Sequence, residues 1–91
     1  MLDKVKLALR ISHNLLDSDI NDTIETARAE MVRSGVSEDA AHDSNTLIEA
    51  AIKTYCQAVY ANDEKRAEGF MKSWQYQLDN IRKSSMEESD A

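Results

Sequence analysis

The stretch that most constrains the fold is residues 47–60, LIEAAIKTYCQAVY, in which apolar residues recur at three- and four-residue steps. That spacing places them on one broad face of an α-helix. Glu49, Lys53 and Gln57 are its strongly polar residues, and their four-residue spacing puts them on the opposite face. A helix this apolar is expected at the centre of the fold, covered on more than one side. Its apolar positions are Leu47, Ile48, Ala51, Ile52, Tyr55, Cys56 and Val59.

Length and composition favour a single small helical domain. The chain has 91 residues, no proline and only two glycines, which favours helix over sheet. We therefore predict an all-α fold, a small helical bundle of about four helices with a C-terminal antiparallel helix hairpin and an acidic tail. A chain of this size buries roughly 60–65% of its unfolded surface, so its stability is marginal without help from a partner.

The N-terminal third predicts two helices joined by a turn. Residues Leu2–Leu9 form an amphipathic pattern. The second helix is expected to begin at a cap formed by Asp17 or Ser18, whose side chains accept hydrogen bonds from free backbone N–H groups. Leu15 and Leu16 are too apolar for a free loop, so we expect both to lie beneath the second helix.

Gly35 marks the end of the second helix. We expect it to close that helix as a left-handed cap, with Val36 making the accompanying hydrophobic contact. The polar residues 37–44 predict at most one helical turn, begun by Ser37. The cap of the central helix is one of three residues, Asp43, Ser44 or Asn45.

A short break at Asn62 and Asp63 separates the central helix from the last one. We expect the central helix to run to about residue 61 and the last helix to cover residues 64–83, with Asp63 as its cap. So short a connection predicts an antiparallel hairpin. Gly69, inside the last helix, indicates a close approach by another backbone.

The chain divides into a helical domain, residues 1–84, and an acidic flexible tail, residues 85–91, which has three acids and no base. The predicted core combines the larger apolar residues of the helices: Ile24, Leu47, Ile48, Ile52, Tyr55, Phe70, Trp74 and Leu78. The residues predicted to contact a partner are two tyrosines and the acids of the tail: Tyr60, Tyr76, Glu87, Glu88 and Asp90.

No catalytic, cofactor-binding or metal-binding constellation is present in the sequence. His13 and His42 fall in polar connectors and are interpreted as surface histidines. Cys56 lies on the apolar face of the central helix, where a packed thiol is expected rather than a nucleophile. Three acids near the start of the second helix lack the glycine turn and distal glutamate of a calcium loop; they are Asp17, Asp19 and Asp22.

The net charge of −6 argues against a general nucleic-acid binder, which must neutralise phosphates. A helix-turn-helix motif is also excluded. The segment 34–43 is too long for the turn of that motif, and the central helix, which would have to be the recognition helix, carries Lys53 as its only basic residue. A single cysteine indicates a reducing compartment. The N-terminus does not read as a signal peptide and no apolar run reaches transmembrane length, so we expect a cytoplasmic product without a membrane partner.

Four segments, taken together, resemble a known family. Residues 2–11 read LDxVKxxLRI, and residues 17–36 combine DxDI with IxxAxxxMxxxGV. Residues 47–60 read LIxxAIxxYxxAxY, and residues 67–81 read AxxFxxSWxxxLxxI. In this order and spacing they resemble the phage head–tail connector family, the head-completion adaptors of long-tailed phages and prophages.

The resemblance implies a structural virion protein without enzymatic activity or cofactor. Such a protein forms a ring beneath the portal of a filled capsid, extends the DNA channel and joins the capsid to the tail machinery. Its implied partners are further copies of itself in a ring matching a twelve-fold portal, the portal protein, and the next connector or tail protein. DNA would pass through without specific binding. The implied location is the virion neck at the head–tail junction, after synthesis in the bacterial host cytoplasm.

The sequence leaves one rival of a different class open. A small acidic helical module that masks a protein partner, with a regulatory role, has the same composition and charge. Genes for portal, capsid and tail proteins beside this one would favour the connector, whereas a neighbouring transcriptional or toxin gene would favour the regulatory module.

Overall fold

The computed structural model describes residues 1–42 and 45–90, with residues 84–90 described as backbone only. Within these ranges the fold is all-α, as predicted, with five helices and no strand. None of the described helices is both long and apolar enough to cross a membrane. The helices are α1 (Leu2–Leu9), α2 (Asp17–Arg33), α3 (Glu38–Ala41), α4 (Thr46–Val59) and α5 (Glu64–Asp90).

Helix α4 is the centre of the fold, and it packs against α1, α2 and α5. Its one buried hydroxyl is satisfied locally, since Thr54 Oγ1 donates to the carbonyl oxygen of Ala50 at 3.0 Å. The expectation that neighbours cover this helix on more than one side is confirmed. Its buried residues are Ile48, Ala51, Ile52, Thr54, Cys56 and Ala58.

Helices α4 and α5 form the predicted hairpin. Asp63 caps α5, because its Oδ1 accepts a hydrogen bond from the backbone N–H of Arg66 at 2.8 Å. Across the hairpin the ring centroids of Tyr55 and Trp74 lie 4.9 Å apart, with the planes tilted by 59°. This tilted geometry is a favourable one for an aromatic pair, and the indole of Trp74 is only 3% exposed.

The end of α2 is the left-handed glycine cap that the sequence predicts. Gly35 has φ 109°, the left-handed region that favours glycine. Its N–H bonds to the carbonyl of Val32 at 3.1 Å, and the N–H of Val36 bonds to the carbonyl of Met31 at 3.0 Å. Arg82 of α5 donates from Nη1 to the carbonyl of Ser34 at 3.0 Å, so the last helix also holds this turn.

The polar connector forms the single helical turn that was predicted, α3. Ser37 begins it, accepting on Oγ from the N–H of Ala40 at 3.2 Å. Arg28 of α2 donates from Nη1 to the carbonyl of Ala41 at 2.8 Å and fixes this turn on α2. Asn45 caps α4 through its Oδ1, which accepts from the N–H of Ile48 at 2.9 Å. The other two candidate caps, Asp43 and Ser44, lie outside the described residues.

The residue predicted to cap the start of α2 is wrong. Asp17 and Ser18 are already inside the helix, and Leu16 is the N-cap residue, without a side-chain hydrogen bond. Asp17 instead pairs across the connection with Lys6 of α1, with Nζ and Oδ1 2.8 Å apart. Leu15 was also misplaced, because its side chain is 87% exposed, while Leu16 is partly buried against the core.

Leu47 was wrongly placed in the core, since it is 54% exposed in the first turn of α4. The helical period identifies its face but not where the covering helices end. Tyr55 and Phe70 are half-buried, and Tyr55 packs on the core cluster. The remaining predicted core residues are buried, each 3% exposed or less: Ile24, Ile48, Ile52, Trp74 and Leu78.

Two features of α5 also differ from expectation. Gly69 is exposed, and a Cβ placed on it would meet nothing within 4 Å, so no backbone approaches closely there. The helical backbone continues past residue 83 to Asp90. Residues 84–90 contain no proline or glycine, and their Met and Glu are good helix formers, so nothing in their sequence stops the helix. The division at residue 84 and the flexibility of the tail stay predictions.

We predict that Trp74→Ala lowers the free energy of unfolding by about 3–5 kcal/mol, because it empties the space between α4 and α5. The matched control is Tyr76→Ala on the same helix, whose side chain is 71% exposed; its effect should stay within about 0.5 kcal/mol. Chemical denaturation followed by circular dichroism measures both. Equal free energies of unfolding for the two variants would show that Trp74 does not stabilise the hairpin.

Candidate functional site

A cleft of about 530 Å³ opens where the end of α1 meets the turn between α4 and α5. Its apolar floor comes from α1, through Ala8 and Leu9, and from Phe70 of α5. Its polar groups are Arg10, Gln57, Tyr60, Asn62 and Arg66. The cleft therefore combines aromatic surface with hydrogen-bonding groups from three separate parts of the chain.

Arg10 reaches this cleft because of the way α1 ends. Its backbone has φ 59° and ψ 40°, a left-handed conformation that is costly for an arginine. Its N–H bonds to the carbonyl of Leu7 at 3.1 Å, and the N–H of Ile11 bonds to the carbonyl of Lys6 at 2.9 Å. This turn closes α1 and leaves the exposed Arg10 on the rim of the cleft.

Arg66 stands on the first turns of α5, on the other side of the cleft. Its guanidinium carbon lies 6.0 Å from the centroid of the Phe70 ring, a separation at which a cation is attracted to an aromatic face. Tyr60 follows the end of α4, with its N–H bonded to the carbonyl of Cys56 at 3.0 Å. The hairpin turn thus fixes a cation and two aromatic rings around one opening.

The cleft is locally positive in a chain whose net charge is −6. Among the described residues that line it, two are arginines and none is acidic. The arginines elsewhere each pair with an acid on the same helix: Arg28 with Glu25, Arg33 with Glu30 and Arg82 with Asp79. No ion pair between described residues includes Arg10 or Arg66. The arrangement suits a ligand that carries carboxylates or other anionic groups.

A family model described as phage connector protein matches residues 1–88 of the chain. The chain belongs to this family. Its resemblance to the head–tail connectors is thereby confirmed, and the protein is a structural component of phage particles. Connectors of this kind act at the virion neck and interact with portal and tail proteins. No curated protein and no solved structure matches the chain.

Of the two tyrosines predicted to contact a partner, whose side chains the structure describes, Tyr60 lines the cleft. Tyr76 is 71% exposed but lies elsewhere on α5. The side chains of the three acids, Glu87, Glu88 and Asp90, lie outside those described. Arg10 and Arg66 were not singled out from the sequence. The available signal was weak: each arginine stands within a few residues of a helix boundary, in an otherwise acidic chain.

The hydrogen bonds described for the two histidines are local. His13 Nδ1 accepts from the N–H of Leu15 at 3.3 Å. His42 Nδ1 lies 2.9 Å from the carbonyl oxygen of Glu38, and both rings are exposed. Across the described part of the chain, no group of three or more histidine, cysteine or acidic residues is placed to hold a metal ion.

Cys56 is fully buried in the core beside the other apolar residues of α4. Burial disfavours the charged thiolate, and this raises the pKa of Cys56 to about 11. The group is therefore a neutral packed thiol at physiological pH. It is unreactive in the folded protein, because the thiolate is the reactive form.

We predict that Cys56 of the folded connector resists alkylation by iodoacetamide at pH 8, and that its labelling rate follows global unfolding. Increasing urea should raise the rate in parallel with the unfolded fraction, measured by mass spectrometry. The urea-denatured protein is the control and should react fully. Rapid labelling of the native protein, with no dependence on denaturant, would show that α4 opens locally and that Cys56 is accessible.

Proposed function

We propose that this connector assembles as a ring beneath the portal of the filled capsid, where it extends the DNA channel and joins the capsid to the tail machinery. The observation that carries the proposal is membership of the phage connector family over residues 1–88. The all-helical fold is consistent with it. In this role the protein contacts copies of itself, the portal protein, and the next connector or tail protein.

Exposed apolar side chains support the proposal that the subunit works in an assembly. A domain of this size has a small core and gains stability when such surface is buried by neighbours. In a closed ring each subunit presents one face to a different face of the next, a heterologous interface. The large apolar residues available for such contacts are Leu7, Leu15, Leu47, Val59 and Tyr76, each between 48% and 87% exposed.

The charge of the chain supports passage of DNA without adhesion. A ring subunit with a net charge of −6 has few free bases to hold phosphates along a channel wall. The proposed ring therefore lets DNA slide past its surface, and its stabilising contacts are with proteins. Its place in the particle is the neck, and its synthesis takes place in the host cytoplasm.

Removal of the gene tests this function. Phage lacking the connector should accumulate filled or partly emptied heads and free tails that do not join, because the surface between portal and tail is missing. Electron microscopy of lysates and infectious titre provide the readouts. Supplying the intact gene in trans is the control and should restore joined particles.

Heads that joined tails normally and retained their DNA without the gene product would contradict the proposal. The regulatory alternative predicts that outcome for particles, together with altered expression of a partner protein.

A further inference from the structure

We propose that the acidic residues 84–91 of one connector subunit dock into the arginine cleft of a second copy. The cleft is the opening lined by Arg10, Tyr60, Arg66 and Phe70. This contact specifies how neighbouring subunits recognise each other, and it rests on the proposed self-assembly. The contact would pair the positively charged cleft with the acid-rich C-terminal stretch of the sequence.

The cleft offers what a carboxylate-bearing peptide needs. Two guanidinium groups supply charge-assisted hydrogen bonds, which are stronger than neutral ones. The amides of Gln57 and Asn62 line the same opening and provide further N–H donors for carboxylate oxygens. Phe70 lies beside Arg66, at 6.0 Å from ring centroid to guanidinium carbon, and gives apolar surface for the stem of a side chain.

Residues 84–91, SSMEESDA, match this chemistry in sequence. They contain Glu87, Glu88 and Asp90, with no basic residue to neutralise them, and Met86 can cover an aromatic ring. Another acid-rich stretch, residues 17–22, is a poorer candidate. Its Asp17 already pairs with Lys6 at 2.8 Å, and the whole stretch lies within the first turns of α2.

The geometry of α5 requires the two features to belong to different subunits. Arg66 stands near the start of this continuous helix, which runs from Glu64 to Asp90. At 1.5 Å of rise per residue, the helix places Glu87 about 32 Å from Arg66. A subunit cannot fill its own cleft across that distance. One end of α5 can instead contact the other end of α5 in a neighbour, which is a heterologous contact able to propagate around a ring.

The test uses a fluorescent peptide of residues 84–91 and the full-length connector. The protein carries Glu87→Gln, Glu88→Gln and Asp90→Asn, so that its own acids do not compete for the cleft. Fluorescence anisotropy should show saturable binding that weakens with added salt. Adding Arg10→Gln and Arg66→Gln should weaken binding by about tenfold or more, since both charged partners are lost.

The matched control removes the same two charges elsewhere. This control variant carries Lys65→Gln and Lys72→Gln. Both lysines are on the exposed surface of α5 and do not line the cleft. That variant should bind the peptide as well as the parent protein does. A second control peptide, with amides in place of the three carboxylates, should bind about tenfold more weakly or not at all.

Three outcomes of these binding measurements would overturn the proposal. They are the absence of saturable binding, equal weakening by the arginine and lysine variants, and equal binding of the amide peptide. Displacement of the peptide by short duplex DNA at lower concentration than by unlabelled peptide would also overturn it, assigning the cleft to phosphates. A negative peptide result with heads that still fail to join tails would reject this contact alone. Normal head joining without the gene would reject the connector role.

Discussion

The fold depends on the burial of α4 between α1, α2 and α5. Ile48 and Ile52 are almost wholly removed from water, and Tyr55 meets Trp74 at 4.9 Å between ring centroids. Burial of aliphatic and aromatic side chains is the largest favourable term in a domain of this size. The exposed ion pairs add little by comparison. Lys4 and Glu49, 2.8 Å apart, link α1 to α4 at the surface, and the hydrogen bond from Lys4 lowers the pKa of Glu49.

Packing on α4 also creates the candidate site. Helix α1 has a single wholly buried residue, Val5. Leu2 and Leu9 also pack against the core, and two ion pairs link α1 to α4 and α2. Once α1 lies on α4, its left-handed end brings Arg10 to the hairpin turn that carries Arg66. The cleft thus forms where the end of α1, the end of α4 and the start of α5 meet. A structural protein that works by assembly needs such surface features more than it needs an internal pocket.

Local signals in the sequence were enough for most of the helices. Gly35 and Val36 specify the end of α2 through backbone bonds within a few residues, so the sequence predicts it fully. Asp17 shows the limit, because its carboxylate pairs with the distant Lys6 instead of capping its own helix. Leu47 fails for a related reason: periodicity gives its face, whereas its exposure depends on where the covering helices stop.

The candidate site was less predictable than the fold. Tyr60 was selected from the sequence as an aromatic at the end of the central helix, and it does line the cleft. Arg10 and Arg66 are 56 positions apart in the sequence, and only the packing of α1 beside the hairpin turn brings them to one opening. No spacing rule in a single sequence carries that information, since the pairing is a property of the tertiary structure.

The most direct measurement of the central claim is cryo-electron microscopy of the neck in intact particles, reconstructed without imposing the symmetry of the capsid. The connector role predicts a closed ring of helical subunits between the portal and the first tail component, with α4 and α5 recognisable as a hairpin in each subunit. A portal that contacts the tail proteins directly, in particles from which this chain is absent, would contradict it.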